Sequence, residues 1–169
     1  MTVVRVPSRA SFVQLAEFGL LKRMSDENLE FVIVGSAAAY AYGLNIEPKD
    51  MDFAVEYGRD RWQRILTLAE LEDPQPGGER RITCEPKSFP TQLHFGLGRG
   101  VDVLSGFQHA AFSELHSRSV KGMVKVELLD DLQLPVLIAS LGDLVESWRT
   151  RGSKRDVELI RAAEKLEQI

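Results

Sequence analysis

The stretch FVIVGSAAAYAYGLNIEPKDMDF, residues 31–53, decides how this chain is read. A strand is expected over residues 30–34, apolar from Phe31 onward and so suited to cover on both faces of a sheet. The Gly35-Ser36 pair follows, then a short helix from Ser36 to Tyr42 that Gly43 ends. Two aspartates, Asp50 and Asp52, come next, with Met51, Phe53 and Val55 alternating between and after them. That alternation is the half-buried strand pattern. Successive side chains on a strand point to opposite faces, so Asp50 and Asp52 share one. Two like charges side by side are costly without a cation. Magnesium relieves that cost, because it takes carboxylate oxygens and completes its octahedron with water and substrate phosphates.

Two further features converge on the pair. Gly35-Ser36 stands at a strand-to-helix junction, where glycine permits close backbone approach and the free N–H groups of a helix start can cradle an anion. Asp102, in Val101-Asp102-Val103-Leu104, is a lone carboxylate on an otherwise apolar strand. A buried carboxylate requires a partner.

Taken together, these residues resemble the nucleotidyltransferase superfamily related to DNA polymerase beta. Its motif is an apolar run, Gly-Gly or Gly-Ser, a spacer, Asp-x-Asp, and a third carboxylate on a later strand. Here Gly35-Ser36, thirteen residues from 37 to 49, Asp50-Met51-Asp52 and Asp102 fill the pattern over roughly residues 29–105. The ending LPVLIASLGDLVESWRTRGSKRDVELI is similar to the tail of the toxin-type subgroup of abortive-infection and toxin-antitoxin systems. In that subgroup a basic residue followed by Asp opens a helix that completes the site. This chain has Arg155-Asp156 where Lys-Asp is expected, and Trp148 where an earlier lysine would stand.

The resemblance implies an α/β fold, a short mixed sheet flanked by helices with further helices at the C-terminus. It implies one domain over residues 1–169, with a core at about 29–128 and a helical part at about 135–169. It also implies metal-dependent transfer of a nucleoside monophosphate from a nucleoside triphosphate to a hydroxyl. Asp50, Asp52 and Asp102 would ligate Mg2+ (or Mn2+), and Asp102 would accept the proton of the attacking hydroxyl. Gly35, Ser36, Lys154, Arg155 and Asp156 would contact the nucleotide. The tail points to a tRNA 3′ end or a protein hydroxyl as acceptor, and to an antitoxin protein as partner. The rival acceptor is a small molecule of the aminoglycoside type, and a rival class is a relative that binds nucleotide or protein without turnover.

Composition narrows the class independently. With 44% hydrophobic and 27% charged residues the chain is an ordinary globular protein. A net charge of −4 argues against nucleic-acid binding through the overall field, which comes from lysines and arginines neutralising phosphates. Local clusters at Arg59, Arg61 and Arg64, and at Arg149, Arg151, Lys154 and Arg155, remain. Cys84 is the sole cysteine, there is no signal-peptide pattern, and no apolar run approaches the about 20 residues that span a bilayer. The expected place is the cytoplasm, with no membrane partner.

Elsewhere, Phe12, Leu15, Phe18 and Leu21 predict a helix over 8–24, capped by Ser8 or Ser11. A helix is expected over 59–72, ended by the DPQPGG loop, and strands over 80–85, 91–97 and 100–105, the last two joined at Gly98-Arg99-Gly100. Residues 107–116 are expected to be irregular or briefly helical, and 117–128 to hold short strand-like pieces around Gly122. Ser140 with Asp143, and Ser153 with Asp156, make Ser-x-x-acid boxes before two final helices. His94, His109 and His116 lack metal-ligand spacing and are expected to be structural or surface residues. Tyr40 and Tyr42 would either stack on a base or pack into the core. No Gly-x-Ser-x-Gly supports a hydrolase.

Overall fold

A computed structural model describes residues 6–72, 83–84, 91–107 and 109–167. The DPQPGG loop and most of the strand expected over 80–85 lie outside these residues. The architecture is α/β, as the sequence predicts.

Ten strands and six helices are described. In chain order they are β1 (Ser11–Val13), α1 (Leu15–Asp26), β2 (Val32–Val34), α2 (Gly35–Ala41), β3 (Met51–Ala54), α3 (Arg59–Glu72), β4 (Thr83–Cys84) and β5 (Gln92–Phe95). Then follow β6 (Val101–Leu104), β7 (Gly106–Phe107), β8 (Ala110–Ala111), α4 (Phe112–Arg118), β9 (Val120–Val126), β10 (Gln133–Ile138), α5 (Leu141–Arg151) and α6 (Lys154–Glu167). Eight strands form one mixed sheet in the order β1-β9-β10-β2-β3-β6-β5-β4, and β7 pairs with β8 alone.

Strand parity sorts the centre of this sheet into two faces. Met51, Val101 and Phe95 are cross-strand partners, as are Phe53, Val103 and Leu93, and all six are buried. Phe53 meets Phe31 edge to face with centroids 5.8 Å apart. Each such ring or branched side chain taken out of water contributes roughly 1.5–3 kcal/mol. The polar residues between them, Asp52, Asp102 and His94, form the opposite row.

Three expectations change. The first helix begins at Leu15, not at Ser8, and neither Ser8 nor Ser11 caps it. The Glu17 side chain accepts the Gln14 N–H at 3.1 Å and fixes the start there. Ser11 and Val13 are buried in β1, parallel to β9, and Leu15 is 57% exposed, so the period-three row Phe12/Leu15/Phe18 was not a helix face. Residues 120–126 are one continuous strand, β9, where only short strand-like pieces were expected.

The strand β10 has no counterpart among the expected elements, although Leu134, Val136 and Ile138 alternate and are buried. Its Pro135 argues against an inner strand. The structure accommodates it because three-residue β2 pairs only with Leu137 and Ile138, leaving Pro135 beyond its reach. The hairpin at Gly98-Arg99-Gly100, the helix at 59–72 and the two consecutive C-terminal helices are as expected. Among the described residues no helix is long and apolar enough to cross a membrane.

Candidate functional site

The site is built on the end of β2. There the chain turns at Gly35, whose φ of +65° favours glycine, and a Cβ at this position would run into the Asp52 carboxylate. Both constraints, conformation and close approach, demand the missing side chain. The Ser36 hydroxyl then accepts the Lys49 N–H at 3.3 Å, tying the loop before Asp50 to the same turn.

Asp52 and Asp102 are direct partners on parallel strands β3 and β6, and His94 on β5 is the partner of Asp102 on its other side. The Asp102 Oδ1 accepts from Gln92 Nε2 at 3.1 Å and lies 2.5 Å from His94 Nδ1. Asp50 precedes β3 by one residue and lies against Gly100, where a Cβ would stand 3.2 Å from its Oδ1.

Asp52 is the electrostatic anomaly. Its Oδ1 is sealed from solvent with no hydrogen-bond partner. Burial, then the charge of Asp102 and the contact between their carboxyls, then the charge of Asp50, push its pKa up to about 8 against the pull of Arg151. A carboxyl in that state holds its proton at neutral pH unless a cation arrives.

The opposite wall is a helix pair. Leu144, Ser147, Trp148 and Arg151 recur at i, i+3, i+4 and i+7 on α5 and face a cleft of about 520 Å³; Arg155 and Leu159 of α6 continue the wall. Val34, Gly35, Ser36, Lys49, Asp50 and Asp52 close the other side. The α5–α6 joint sets where the cations stand. Gly152 caps α5 in the left-handed conformation, and α6 opens with reciprocal bonds, Ser153 N–H to Asp156 Oδ2 at 3.0 Å and Asp156 N–H to Ser153 Oγ at 3.2 Å. Arg151 then reaches Asp156 with two bonds, Nε to Oδ2 at 2.8 Å and Nη2 to Oδ1 at 2.5 Å. Those bonds hold the fully buried Asp156 carboxyl down at about 2.

The three α6 residues expected at a nucleotide therefore separate. Arg155 lines the cleft, Lys154 is exposed and outside the lining, and the Asp156 carboxylate is spent on Arg151 and the helix cap. Arg151, which the sequence placed only within a basic cluster, is the cation whose charge reaches Asp52. Its signal was the five-residue step to Asp156, legible only once a helix break between them is known.

Gln92 and His94 were also missed as site residues, their signal being the two-residue step on a strand opposite Asp102. Tyr42 is buried with its hydroxyl donating to Ala139 O at 2.8 Å, and Tyr40 lies under Arg9, 3.7 Å from guanidinium carbon to ring centroid. Neither lines the cleft.

Among the described residues no three His, Cys, Asp or Glu side chains form a ready ligand set for a metal ion. The chemistry of the donors nevertheless suits a hard divalent cation. Asp52 has an orphaned oxygen, Asp102 stands beside it, Asp50 is close enough to shift its pKa, and all present oxygen alone. The chain matches no family model, and no curated protein is similar enough to be matched to it.

Proposed function

We propose that the protein transfers a nucleotidyl group from a nucleoside triphosphate to a hydroxyl acceptor in a metal-dependent reaction. The observation that carries this reading is Asp52, raised in pKa, without a partner for Oδ1 and in register with Asp102, facing Arg151 across a cleft that opens at the Gly35-Ser36 turn.

Asp50, Asp52 and Asp102 would hold Mg2+ or Mn2+, which when bound supplies positive charge at the attacking and leaving oxygens of an in-line displacement. The chain's own groups do the rest. Gly35 and Ser36 offer backbone N–H groups to the triphosphate, and Arg151, fixed by Asp156, presents a preorganised guanidinium to its phosphates. Arg155, with no ion-pair partner among the described residues, and Lys49 add charge at the rim.

The acceptor oxygen attacks the α-phosphorus, a P–O bond forms, the bond to the bridging α,β-oxygen breaks, and pyrophosphate leaves. The proton of the acceptor passes to Asp102, whose Oδ1 is already oriented by Gln92 and His94. An RNA 3′ end, a protein hydroxyl and a small hydroxylated molecule are the acceptor classes to screen. A toxin role restrained by an antitoxin predicts that expression slows growth and that Asp52→Ala relieves it.

The test is thermal unfolding with each of the four ribonucleoside triphosphates, with and without magnesium, on the wild type and on Asp50→Ala/Asp52→Ala. A ligand that binds only the native state raises the midpoint. A magnesium-dependent rise that the double variant loses supports the reading and names the donor. No rise at millimolar nucleotide counts against it.

A further inference from the structure

Arg99 does not line the cleft, yet it is tied to the loop that carries the first carboxylate. It sits in the turn between β5 and β6, its Nη1 donates to Pro48 O at 2.7 Å and its Nη2 to Phe12 O at 3.0 Å. Its backbone N–H donates to Glu17 Oε2 at 2.9 Å, and Nη2 faces Glu17 Oε1 at 3.4 Å. Glu17 is fully buried, and Arg99 Nε is buried with no partner at all. One guanidinium thus joins β1, the start of α1 and the segment entering Asp50.

That segment is held residue by residue. Arg99 takes the carbonyl of Pro48, the Ser36 hydroxyl takes the Lys49 N–H, and the Gly100 carbonyl accepts the Met51 N–H at 2.9 Å. Asp50, between the last two, rests on Gly100, the residue after Arg99. An ion pair with one fully buried partner, one half-buried partner and an unmet N–H is a poor way to gain stability, since desolvation offsets much of its attraction. What the planar fork does supply is fixed direction, which a lysine's single ammonium does not.

We infer that Arg99 is a positioning residue for Asp50, setting where that carboxylate stands relative to Asp52 and hence how well the site holds a divalent cation. The consequence for the cation rests on the nucleotidyl-transfer reading; the positioning itself does not.

Two measurements on Arg99→Met, Arg99→Lys and Tyr42→Phe test this, the last being a control that loses one buried hydrogen bond away from the cleft. In the first, amide hydrogen exchange at Lys49 and Met51 accelerates in Arg99→Met and stays as in wild type in Tyr42→Phe. In the second, Mn2+ binding is read by electron paramagnetic resonance with nucleoside triphosphate present. Affinity drops about tenfold in Arg99→Met, as for other groups that orient a metal ligand. It drops no further when Arg99→Met is added to Asp50→Ala, because both changes act through the same carboxylate.

Exchange at Lys49 and Met51 no faster than in the control, or losses that multiply in the double variant, overturns the inference. If wild type binds no Mn2+ with nucleotide, the nucleotidyl-transfer reading fails instead, and hydrogen exchange alone decides Arg99. Should Arg99→Met not fold, Arg99→Lys carries the same comparison, with an intermediate effect expected.

Discussion

Two carboxylates, Asp52 and Asp143, are treated in opposite ways by the same fold. Asp143 is 5% exposed in the first turn of α5 and is surrounded by donors. Arg118 Nε and Nη2 reach it at 3.0 and 2.8 Å, His109 Nε2 lies at 3.0 Å, and the Ser140 hydroxyl donates at 3.0 Å. Burial alone would raise its pKa, but the bonds from Arg118, His109 and Ser140 hold it below the ordinary carboxylate range. Asp52 has an oxygen with no donor and two acidic neighbours, and its pKa goes up to about 8. A chain able to surround one carboxylate with four donors leaves the other bare. Unsatisfied buried groups of this kind concentrate where a ligand completes them.

The sharpest way to break this contrast is to remove each carboxylate in turn. On the proposed function, Asp52→Ala is expected to reduce nucleotidyl transfer at least about a thousandfold, roughly 4 kcal/mol of barrier, measured as kcat/KM with the donor that the unfolding screen names. Asp143→Ala is expected to cost about 2–3 kcal/mol of folding stability, since it leaves the Arg118 and His109 donors without their acceptor and takes away the carboxylate that accepts from the Ser140 hydroxyl. Urea unfolding measures it. Activity loss in Asp143→Ala that exceeds its stability loss would blur the division between the two sites.

The contrast extends to pH. A carboxyl raised from 3.8 to about 8 on folding makes the native state bind the extra proton, so the associated stability is full below about pH 4 and is lost as pH rises to 8. Metal-free protein should therefore become less stable across that window, while Asp52→Asn removes the slope and is the more stable form at pH 8 by about 1–2 kcal/mol. Asp143 and Asp156, both lowered, contribute in the opposite sense, their stability being lost only as pH falls below about 4. Thermal midpoints from pH 4 to 9 separate the two. The smallest effect belongs to charge without burial. Arg149, exposed and paired with Glu146 and Glu164, is expected to contribute under about 0.5 kcal/mol, so Arg149→Ala should leave the urea midpoint nearly unchanged.

The anionic half of this site was legible in the sequence because strand parity is local. Asp50, Asp52 and Asp102 declare their face by alternating with apolar residues, and Gly35 marks the turn that lets them approach. The cationic half was not, because Arg151 and Asp156 meet across a helix break, and Lys154 and Arg155, adjacent in α6, point about 100° apart around it so that only Arg155 lines the cleft. His94 looked like a structural histidine until the β5–β6 register placed it opposite Asp102. In the same way, β1 and β10 follow from partners far along the chain, β9 for the first and β2 for the second, and local periodicity misled at Leu15 and at Pro135.

The joint at Gly152-Ser153 has a consequence for how this chain can vary. Arg151 is the last residue of α5 and Asp156 the third of α6, so their paired bonds span the break like a pin through a hinge. One added residue at that point would lengthen the turn and displace the start of α6, moving Arg155 relative to the rim and parting Arg151 from Asp156. Gly152 holds a left-handed φ and the Ser153 hydroxyl caps α6, so the joint constrains both which residues stand there and how many: the spacing acts as a molecular gauge, and homologous chains that keep this cleft should keep its length.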